Sequence, residues 1–532
     1  MIWTSLAVLV LCTLGFLYNL ATRPRIHRNG HKLRHPPDTL PLLGNAIQFL
    51  KPRHVLFDWF VKCQQLFGRE TFEISVPTLP PGVVINSPEN LEYVLKNEAA
   101  ITKGEFFKER SWDLFGHGII NATGDLWRAQ RKAGLKFFSG ANLDALVEEV
   151  LPEVYEATTR KHLLQASQDG SIVDLQKVFL DLTTTVVGQM AYDSGDTHIL
   201  TLLFAPFKME ISASSPFSKA FDHASSHVGL RFQNPLYRLT ELFTGADFRS
   251  SLTEVKRFGR QIVANARKRR SRAAFESLIT DDPLSDPSGP SFGTLIDSLI
   301  EAFADPQVVA DAALNFLSAG RDTTAQSFTW AFYALLRHTD ALNDVRDEIN
   351  ASVKDLESME ISQLQPTNLP LTLATFYEAL RLYPPVPFEI KQTNQPVTLP
   401  DGTFLPPSAI VVWCIYALNR SRNMFGDHAH LFRPRRWLDD EGKFVGKSPF
   451  EFPVFNGGPR ACLGKKMAEV MGVWVMVRFC SEWEFEEVTD GMVKVSEDGK
   501  IVMDERVSAN SLTLPMEGGL PCRVKARYRN AV

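Results

Sequence analysis

The amino-acid sequence predicts a mainly helical fold with a smaller β part, an α+β class. Long amphipathic stretches recur along the chain, and short β-branched runs occur near its two ends. Length alone suggests about three or four domains for 532 residues, although one large fold is also compatible. Gly and Pro, 32 each, have the average share of folded proteins, which excludes collagen-like and low-complexity chains. A net charge of −4 argues against a nucleic-acid partner.

The N-terminus is predicted to anchor the chain in a membrane. Residues Ile2 to Ala21 carry no charge, and a helix of that length spans about 30 Å, the thickness of a bilayer core. A signal peptide would need basic residues before this run, whereas here they follow it. We therefore expect a transmembrane anchor over 1–22 with a cytosolic body, as the positive-inside rule requires.

Residues 23–50 are predicted to be a basic, proline-rich hinge, and 51–532 the body. The hinge contains the stretch PPDTLPLLGN, which proline makes stiff. In the body we expect strands at Phe72–Ile74 and Val83–Ile85, then a helix that Ser87 caps and that ends at Lys96. Further helices are predicted at 125–138, 141–165, 171–190, 216–230, 251–272 and 305–338. Two C-terminal strands are expected around Glu517-Gly-Gly.

The six cysteines form no Cys-x-x-Cys pair, so we expect reduced thiols, mostly buried. Cys462 differs from the others because it lies in Phe455-Asn-Gly-Gly458-Pro-Arg460-Ala-Cys462-Leu-Gly464. An apolar helical run follows this segment. A thiolate at a helix N-terminus meets free N–H groups, which we expect to lower its pKa.

This segment resembles the haem-thiolate signature of the cytochrome P450 superfamily, Phe-x-x-Gly-x-Arg-x-Cys-x-Gly, at all five fixed positions. The resemblance implies the fold of that family and a haem b cofactor whose iron takes Cys462 as axial ligand. Phe455, Gly458, Arg460 and Gly464 are then cofactor-binding residues, with Arg460 on a haem propionate and the glycines where the backbone approaches the porphyrin.

The middle of the long helix reads Ala319-Gly320-Arg321-Asp322-Thr323-Thr324. A glycine beside two β-branched threonines is expected to loosen this turn. The stretch resembles the family segment that lies over the haem and forms an oxygen-binding groove. By that resemblance Ala319 and Gly320 border the cofactor, Thr323 supplies the catalytic hydroxyl, and Asp322 is the acid of the proton relay.

Glu378 and Arg381 are three apart on one helical face. They resemble the Glu-x-x-Arg pair of the family, whose third member is Arg436 in Phe432-Arg-Pro434-Arg-Arg436. These three are expected to hold the fold rather than to perform chemistry.

Three more residues are expected at the haem propionates. Trp127 and Arg131 are one helical turn apart and resemble the Trp and Arg of a propionate-holding helix. Lys391 stands where many relatives carry a basic residue near the propionates; lysine keeps the charge but loses the bidentate fork of arginine.

The resemblance implies a monooxygenase that inserts one atom of O2 into a C–H bond of a hydrophobic substrate. Electrons are expected from NADPH through a separate flavoprotein reductase. The chain is expected at the endoplasmic reticulum membrane, in contact with lipid, as a single-pass protein with a cytosolic catalytic domain. Because Asp322 and Thr323 are both present, haem-thiolate isomerases and dehydratases are less favoured. A haem sensor or electron carrier is disfavoured as well.

The substrate is less defined by the sequence. NFLSAGRDTTAQ and the region 218–237 resemble the branch of the family that hydroxylates fatty acids and alkanes. The alternative is an enzyme that oxidises a terpenoid or polyketide intermediate. Phe388 and Glu389 are expected to border the substrate pocket, where an acidic residue is unusual for a plain fatty acid. Ala319, in place of a glutamate, predicts non-covalent haem.

Overall fold

The computed structural model describes residues 25–77, 79–192, 215–279, 294–489, 493–495, 501–503 and 505–527. The predicted transmembrane segment, Ile2 to Ala21, lies outside these residues. Within the described part of the chain, no helix combines the length and the apolar character needed to cross a bilayer.

The fold is mainly helical with a smaller β part, as the sequence predicts. The α-helices are α1 Ala46–Phe49, α2 Arg53–Phe67, α3 Pro88–Lys96, α4 Gly104–Phe115, α5 Gly124–Phe137, α6 Gly140–Ala145, α7 Leu151–Val154, α8 Lys161–Asp169, α9 Leu175–Tyr192, α10 Pro216–Gln233, α11 Tyr237–Ile279, α12 Leu295–Ala302, α13 Pro306–Arg337, α14 Thr339–Ser352, α15 Pro370–Leu382, α16 Ile415–Leu418, α17 Arg422–Phe425 and α18 Lys465–Glu482. Two π-helical segments, Leu146–Val150 and Tyr155–Arg160, join α6, α7 and α8 into one nearly continuous rod.

The strands are β1 His27–Arg28, β2 Phe72–Ile74, β3 Gly82–Val84, β4 Ile101–Thr102, β5 Val173–Asp174, β6 Phe388–Thr393, β7 Val397–Thr398, β8 Thr403–Leu405, β9 Ile410–Cys414, β10 Trp483–Glu487, β11 Val493–Val495, β12 Ile501–Met503 and β13 Pro521–Ala526. The largest sheet has the order β2-β3-β9-β6-β4, in which β3 and β9 are parallel and the other neighbours antiparallel. It places β6 beside the helical core.

The helix boundaries follow their predicted caps. The Ser87 hydroxyl accepts a hydrogen bond from the N–H of Asn90 at 3.1 Å, and α3 ends at Lys96. The Asp305 carboxylate accepts from the N–H of Gln307 at 2.8 Å at the start of α13. Each cap satisfies a backbone donor that has no partner inside the helix.

Of the two strands predicted around Glu517-Gly-Gly, only the second is present among the described residues, as β13. The segment before the glycines forms only an isolated bridge between Ser508 and Met516. The strand after them, β13, pairs instead with β10 and β5, which are far away in the sequence. Because β13 pairs with β10 and β5, it forms no local hairpin with the segment before the glycines.

The described part of the hinge is attached to the body. The strand β1 pairs with β8, and the side chains of Ile26 and Leu33 are buried in an apolar cluster. Burial of this kind fixes the chain from residue 25 onward, so the hinge is not a free spacer there.

The principal core lies around α13. This helix packs against α9, α11, α15 and α18, and 24 of its residues are buried. A helix that is buried on nearly all sides is held rigidly by its neighbours, which suits a helix that positions a site.

Candidate active site

The loop of residues 455–464, here called the cysteine loop, precedes α18. The N–H of Cys462 donates to the carbonyl of Phe455 at 2.8 Å and so closes the loop. Gly458 has a φ of +62°, and a Cβ there would lie 2.4 Å from the carbonyl oxygen of Leu95. Glycine is therefore required at 458 by the backbone conformation and by the contact with the C-terminal end of α3.

Cys462 is the one exposed cysteine among the described residues, and its thiol borders an internal cavity. The other four described cysteines, Cys63, Cys414, Cys480 and Cys522, are free and buried, as predicted. Cys12 lies outside the described residues. A sulfur atom that borders a cavity is accessible to a ligand, which a packed core thiol is not.

The cavity has a volume of about 420 Å³ and lies between the cysteine loop and α13. Its size is typical of small-molecule sites. All of the predicted catalytic and cofactor-binding residues except Gly458 and Lys391 border it, namely Trp127, Arg131, Ala319, Gly320, Asp322, Thr323, Phe455, Arg460, Cys462 and Gly464. Segments from three regions of the sequence thus converge on one space.

Two arginines border the cavity, Arg460 in the cysteine loop and Arg131 in α5. The guanidinium of Arg460 lies 4.8 Å from the ring centre of Trp127, and its Nε is 2.6 Å from Oε1 of Glu98. Nη1 of Arg131 donates to the carbonyl of Ala461 at 3.0 Å. Glu98 was not found by sequence reasoning, because a lone acidic residue after α3 carries no motif.

Lys391 lies behind this arrangement rather than in the cavity wall. Its side chain is 1% exposed, and its Nζ is 2.7 Å from Oε2 of Glu98. Burial lowers the pKa of Lys391, and the carboxylate of Glu98 opposes that effect. Glu98 thus forms ion pairs with both Lys391 and Arg460. Lys391 does not border the cavity, so it can act on a ligand there only through the charge of its ion pair with Glu98.

The middle of α13 forms the wall opposite the cysteine loop. The expected loosened turn is not present, since the helix continues without interruption from residue 319 to 324. A Cβ at Gly320 would lie 3.0 Å from Cγ2 of Val187, so glycine serves the close approach of α9. The Thr323 hydroxyl donates to the Ala319 carbonyl at 2.6 Å, a bond that keeps Thr323 compatible with the helix.

Asp322 is buried beside the guanidinium of Arg321, with which it forms an ion pair. Arg321 is itself fully buried and also contacts Oδ1 of Asp222 on α10 at 2.6 Å. Burial raises the pKa of Asp322 to about 6; Arg321 lowers it and Asp222 raises it. Asp222 was missed as a partner because nothing in the sequence relates it to α13.

Although the Cys462 thiol borders the cavity, the surrounding protein removes it from bulk water, and this desolvation raises its pKa. The backbone N–H of Gly464 and the guanidinium of Arg131 lower that pKa, but burial is the larger effect. The lowering effect expected from an N–H near the helix N-terminus is thus present, although the pKa of the thiol is raised overall. Cys462 precedes the first residue of α18 by three positions, and one N–H group does not offset its desolvation.

Glu378 is the centre of a buried cluster of ion pairs and hydrogen bonds outside the cavity. It is fully buried and makes a bidentate ion pair with Arg381, with both N···O distances 2.8 Å. Nε of Arg436 is 2.8 Å from Glu378 Oε1. The geometry brings the three predicted residues together and adds Trp437, whose Nε1 donates to Glu378 Oε2 at 3.0 Å.

The residues of the site fit a haem group. A cysteine sulfur is a soft ligand suited to iron, and guanidinium groups bind carboxylates such as propionates. Phenyl rings, among them Phe115, Phe138 and Phe316, supply an apolar lining for a flat macrocycle. Phe388 and Glu389 also border the cavity, as the sequence predicts.

The amino-acid sequence matches one protein family and is similar to several known proteins along most of its length. The family profile described as Cytochrome P450 matches residues 35–508. Cytochrome P450 94A1 of Vicia sativa is 27% identical over 92% of this chain and 90% of its own length. Cytochrome P450 CYP94D108 of Paris polyphylla is 30% identical over 93% of this chain and 94% of its own. Cytochrome P450 monooxygenase cyp1 of Mycosarcoma maydis is 29% identical over 93% and 75%.

Proposed function

The chain belongs to the cytochrome P450 family and is a haem-thiolate monooxygenase; from this premise we propose that it hydroxylates the alkyl chain of an aliphatic substrate such as a fatty acid. The observation that carries the proposal is the cavity that the exposed thiol of Cys462, Asp322 and Thr323 all border and whose lining is mostly apolar, with several phenyl rings. Extended apolar chains are well matched to such a lining.

The residues that border the cavity have different roles in this proposal. Cys462 provides the sulfur that binds iron, while Arg460, Arg131 and Trp127 hold the carboxylates of the haem. When bound, haem supplies the iron chemistry that activates O2 and oxidises the C–H bond. The protein must position the substrate, exclude water and deliver protons.

Proton delivery falls to α13. The Thr323 hydroxyl can donate a hydrogen bond into the cavity if it gives up its bond to the Ala319 carbonyl, or accept a hydrogen bond while keeping that bond. Asp322, with a pKa near 6, exchanges protons readily near neutral pH. Its ion pair with Arg321 holds the carboxyl group in one place at the helix surface.

The electron donor proposed for this chain is a flavoprotein reductase that uses NADPH. The decisive experiment is product analysis with purified protein, such a reductase, NADPH and a panel of fatty acids, alkanes, terpenoids and polyketide-like polycyclic compounds. Hydroxylated aliphatic products support the proposal. Turnover of polycyclic compounds alone would favour the alternative, the tailoring of a terpenoid or polyketide.

We propose a location at the endoplasmic reticulum membrane, with residues 1–22 as the anchor. Two stretches of exposed apolar side chains support this location. The first lies in the hinge and consists of Leu40, Leu42, Leu43, Ile47 and Leu50, and the second lies at the start of α11 and consists of Leu236, Leu239, Leu242 and Phe243. Leu42 is 97% exposed and Phe243 84%. Apolar groups of this size in water mark surfaces that contact lipid or protein.

Removal of residues 1–22 tests the location. The shortened chain should bind liposomes more weakly while it still incorporates haem. A variant with Leu42→Ser and Phe243→Ser in the shortened chain should bind them more weakly again. Unchanged liposome binding in both proteins contradicts the proposed location, and loss of haem would assign residues 1–22 to the fold.

A further inference from the structure

The wall of the cavity, which is largely apolar, contains one further ion pair that the site described above does not use. The Nζ of Lys103 lies 2.7 Å from Oε2 of Glu389, and the two side chains are 10% and 18% exposed. Both residues border the cavity. Lys103 immediately precedes α4 and Glu389 lies in β6, so the pair joins two elements that are 286 residues apart in sequence. The pair also explains how an acidic residue is tolerated here, because Lys103 neutralises it.

The pair retains hydrogen-bonding capacity. An ammonium group has three N–H donors, and a carboxylate has two oxygens that each accept more than one bond. In the described contacts, Lys103 donates one hydrogen bond, to Glu389, and Glu389 accepts that bond through Oε2. The ring of Phe107, whose centre is 4.5 Å from Nζ, covers one further side of the ammonium. Donors on Lys103 and the second oxygen of Glu389 thus remain available to a ligand.

The charge of the pair selects among ligand end groups. Lys103 and Glu389 together are neutral, so a carboxylate placed beside them would leave an uncompensated negative charge in an apolar space, which is costly. A hydroxyl group adds no charge. It can donate to Glu389 and accept from Lys103 at the same time, and both bonds involve a charged partner.

We propose that Lys103 and Glu389 bind the polar end of the substrate and that this end is an uncharged O–H group, as in a long-chain alcohol or an un-ionised acid. This inference rests on the proposed oxidation of an alkyl chain and names the end group of that chain. The pair then acts as a positioning element: it fixes one end of the substrate and so determines which carbon lies beside Thr323.

Binding titrations of the haem-loaded protein test the proposal. The ligands are dodecanol, dodecanoate, methyl dodecanoate and dodecane, at about pH 8, where the acid is ionised. The readout is the change in the haem absorption spectrum when the ligand binds. We expect dodecanol to bind about tenfold more tightly than dodecane or dodecanoate, since hydrogen bonds to charged groups are each of that order.

Two variants should change the binding of dodecanoate in opposite directions. Glu389→Gln keeps a hydrogen-bonding side chain but leaves the charge of Lys103 uncompensated, so dodecanoate should bind about tenfold more tightly than it does to the wild type. Lys103→Gln should weaken dodecanol binding and exclude dodecanoate further. Glu105→Gln, which removes the 79% exposed partner of Lys108 outside the cavity, is the matched control and should change neither. The carbon monoxide spectrum of each variant verifies that it is folded and loaded.

Three outcomes separate the two proposals. If Glu389→Gln leaves the order of the four ligands unchanged, the pair does not bind the end group, even where alkyl chains are hydroxylated. If the wild type prefers dodecanoate over dodecanol, the end group is a carboxylate and the inference is overturned. A third outcome is that no aliphatic ligand changes the spectrum or is oxidised, whereas polycyclic compounds are oxidised. In that case the proposed substrate class is wrong, and this inference is wrong with it.

Discussion

Replacement of Glu378 by Gln should strongly destabilise the protein without touching the cavity. The Glu378 carboxylate is fully buried and accepts five hydrogen bonds: two from Arg381, one each from Arg436 and Trp437, and one from the backbone N–H of Arg433. An amide keeps one acceptor oxygen and turns an NH2 group toward the guanidiniums. It also leaves the buried charge of Arg381 without its counter-ion.

Loss of one partner of a buried ion pair costs about 3–5 kcal/mol. The control is Glu441→Gln, which breaks an ion pair between Glu441 and Lys443 whose side chains are both 72% exposed. An exposed pair contributes less than about 1 kcal/mol. The free energy of unfolding should therefore fall several times more in Glu378→Gln than in Glu441→Gln.

The assay is urea unfolding of the haem-loaded protein, followed by the thiolate-type carbon monoxide band and by far-ultraviolet circular dichroism. With a slope of ~3 kcal/mol per molar urea, the midpoint of Glu378→Gln should decrease by about 1 M or more. Equal midpoints for the two variants would refute the view that Glu378 is a structural anchor. If Glu378→Gln is too unstable to retain haem while Glu441→Gln retains it, that result also supports Glu378 as a structural anchor.

Three further predictions concern the site itself. Cys462→Ala should abolish the thiolate-type carbon monoxide band while Cys480→Ala, a buried thiol away from the cavity, retains it; a retained band in Cys462→Ala would reassign the iron ligand. Thr323→Ala should load haem but divert electrons from product to peroxide, which is measured as product formed per NADPH consumed. The control is Thr329→Ala, which removes the same kind of hydroxyl-to-carbonyl bond further along α13 and should not divert electrons. Equal product yields for the two variants would exclude a role for Thr323 in proton delivery. Because the pKa of Asp322 is raised from about 4 to about 6, the folded state holds a proton that the unfolded state releases, so stability should fall as pH rises through that window and level off above it. Asp322→Asn should lack this contribution, and identical pH profiles of the unfolding free energy would show that Asp322 is not protonated in the folded state near pH 5.

Much of the fold could be read from local patterns. The Ser87 and Asp305 caps start helices within one residue of the predicted position because capping depends on side chains close in sequence. The strand at Phe72–Ile74 was predicted with its observed bounds. By contrast, the pairing of β13 with β10 and β5 could not be predicted, since a strand edge accepts any partner that the rest of the fold brings to it.

The sequence by itself determined the cysteine frame, the position of the acid and hydroxyl on the long helix, and the Glu-x-x-Arg pair, because each is a short motif whose spacing is set by local backbone geometry. Only the tertiary structure decided how these groups are supported. Glu98 joins Arg460 to Lys391, Asp222 reaches Arg321 from another helix, and Glu389 neutralises Lys103. Ion pairs of this kind connect segments that are about 100 or more residues apart, and contact between distant side chains leaves no periodic or compositional trace in the sequence.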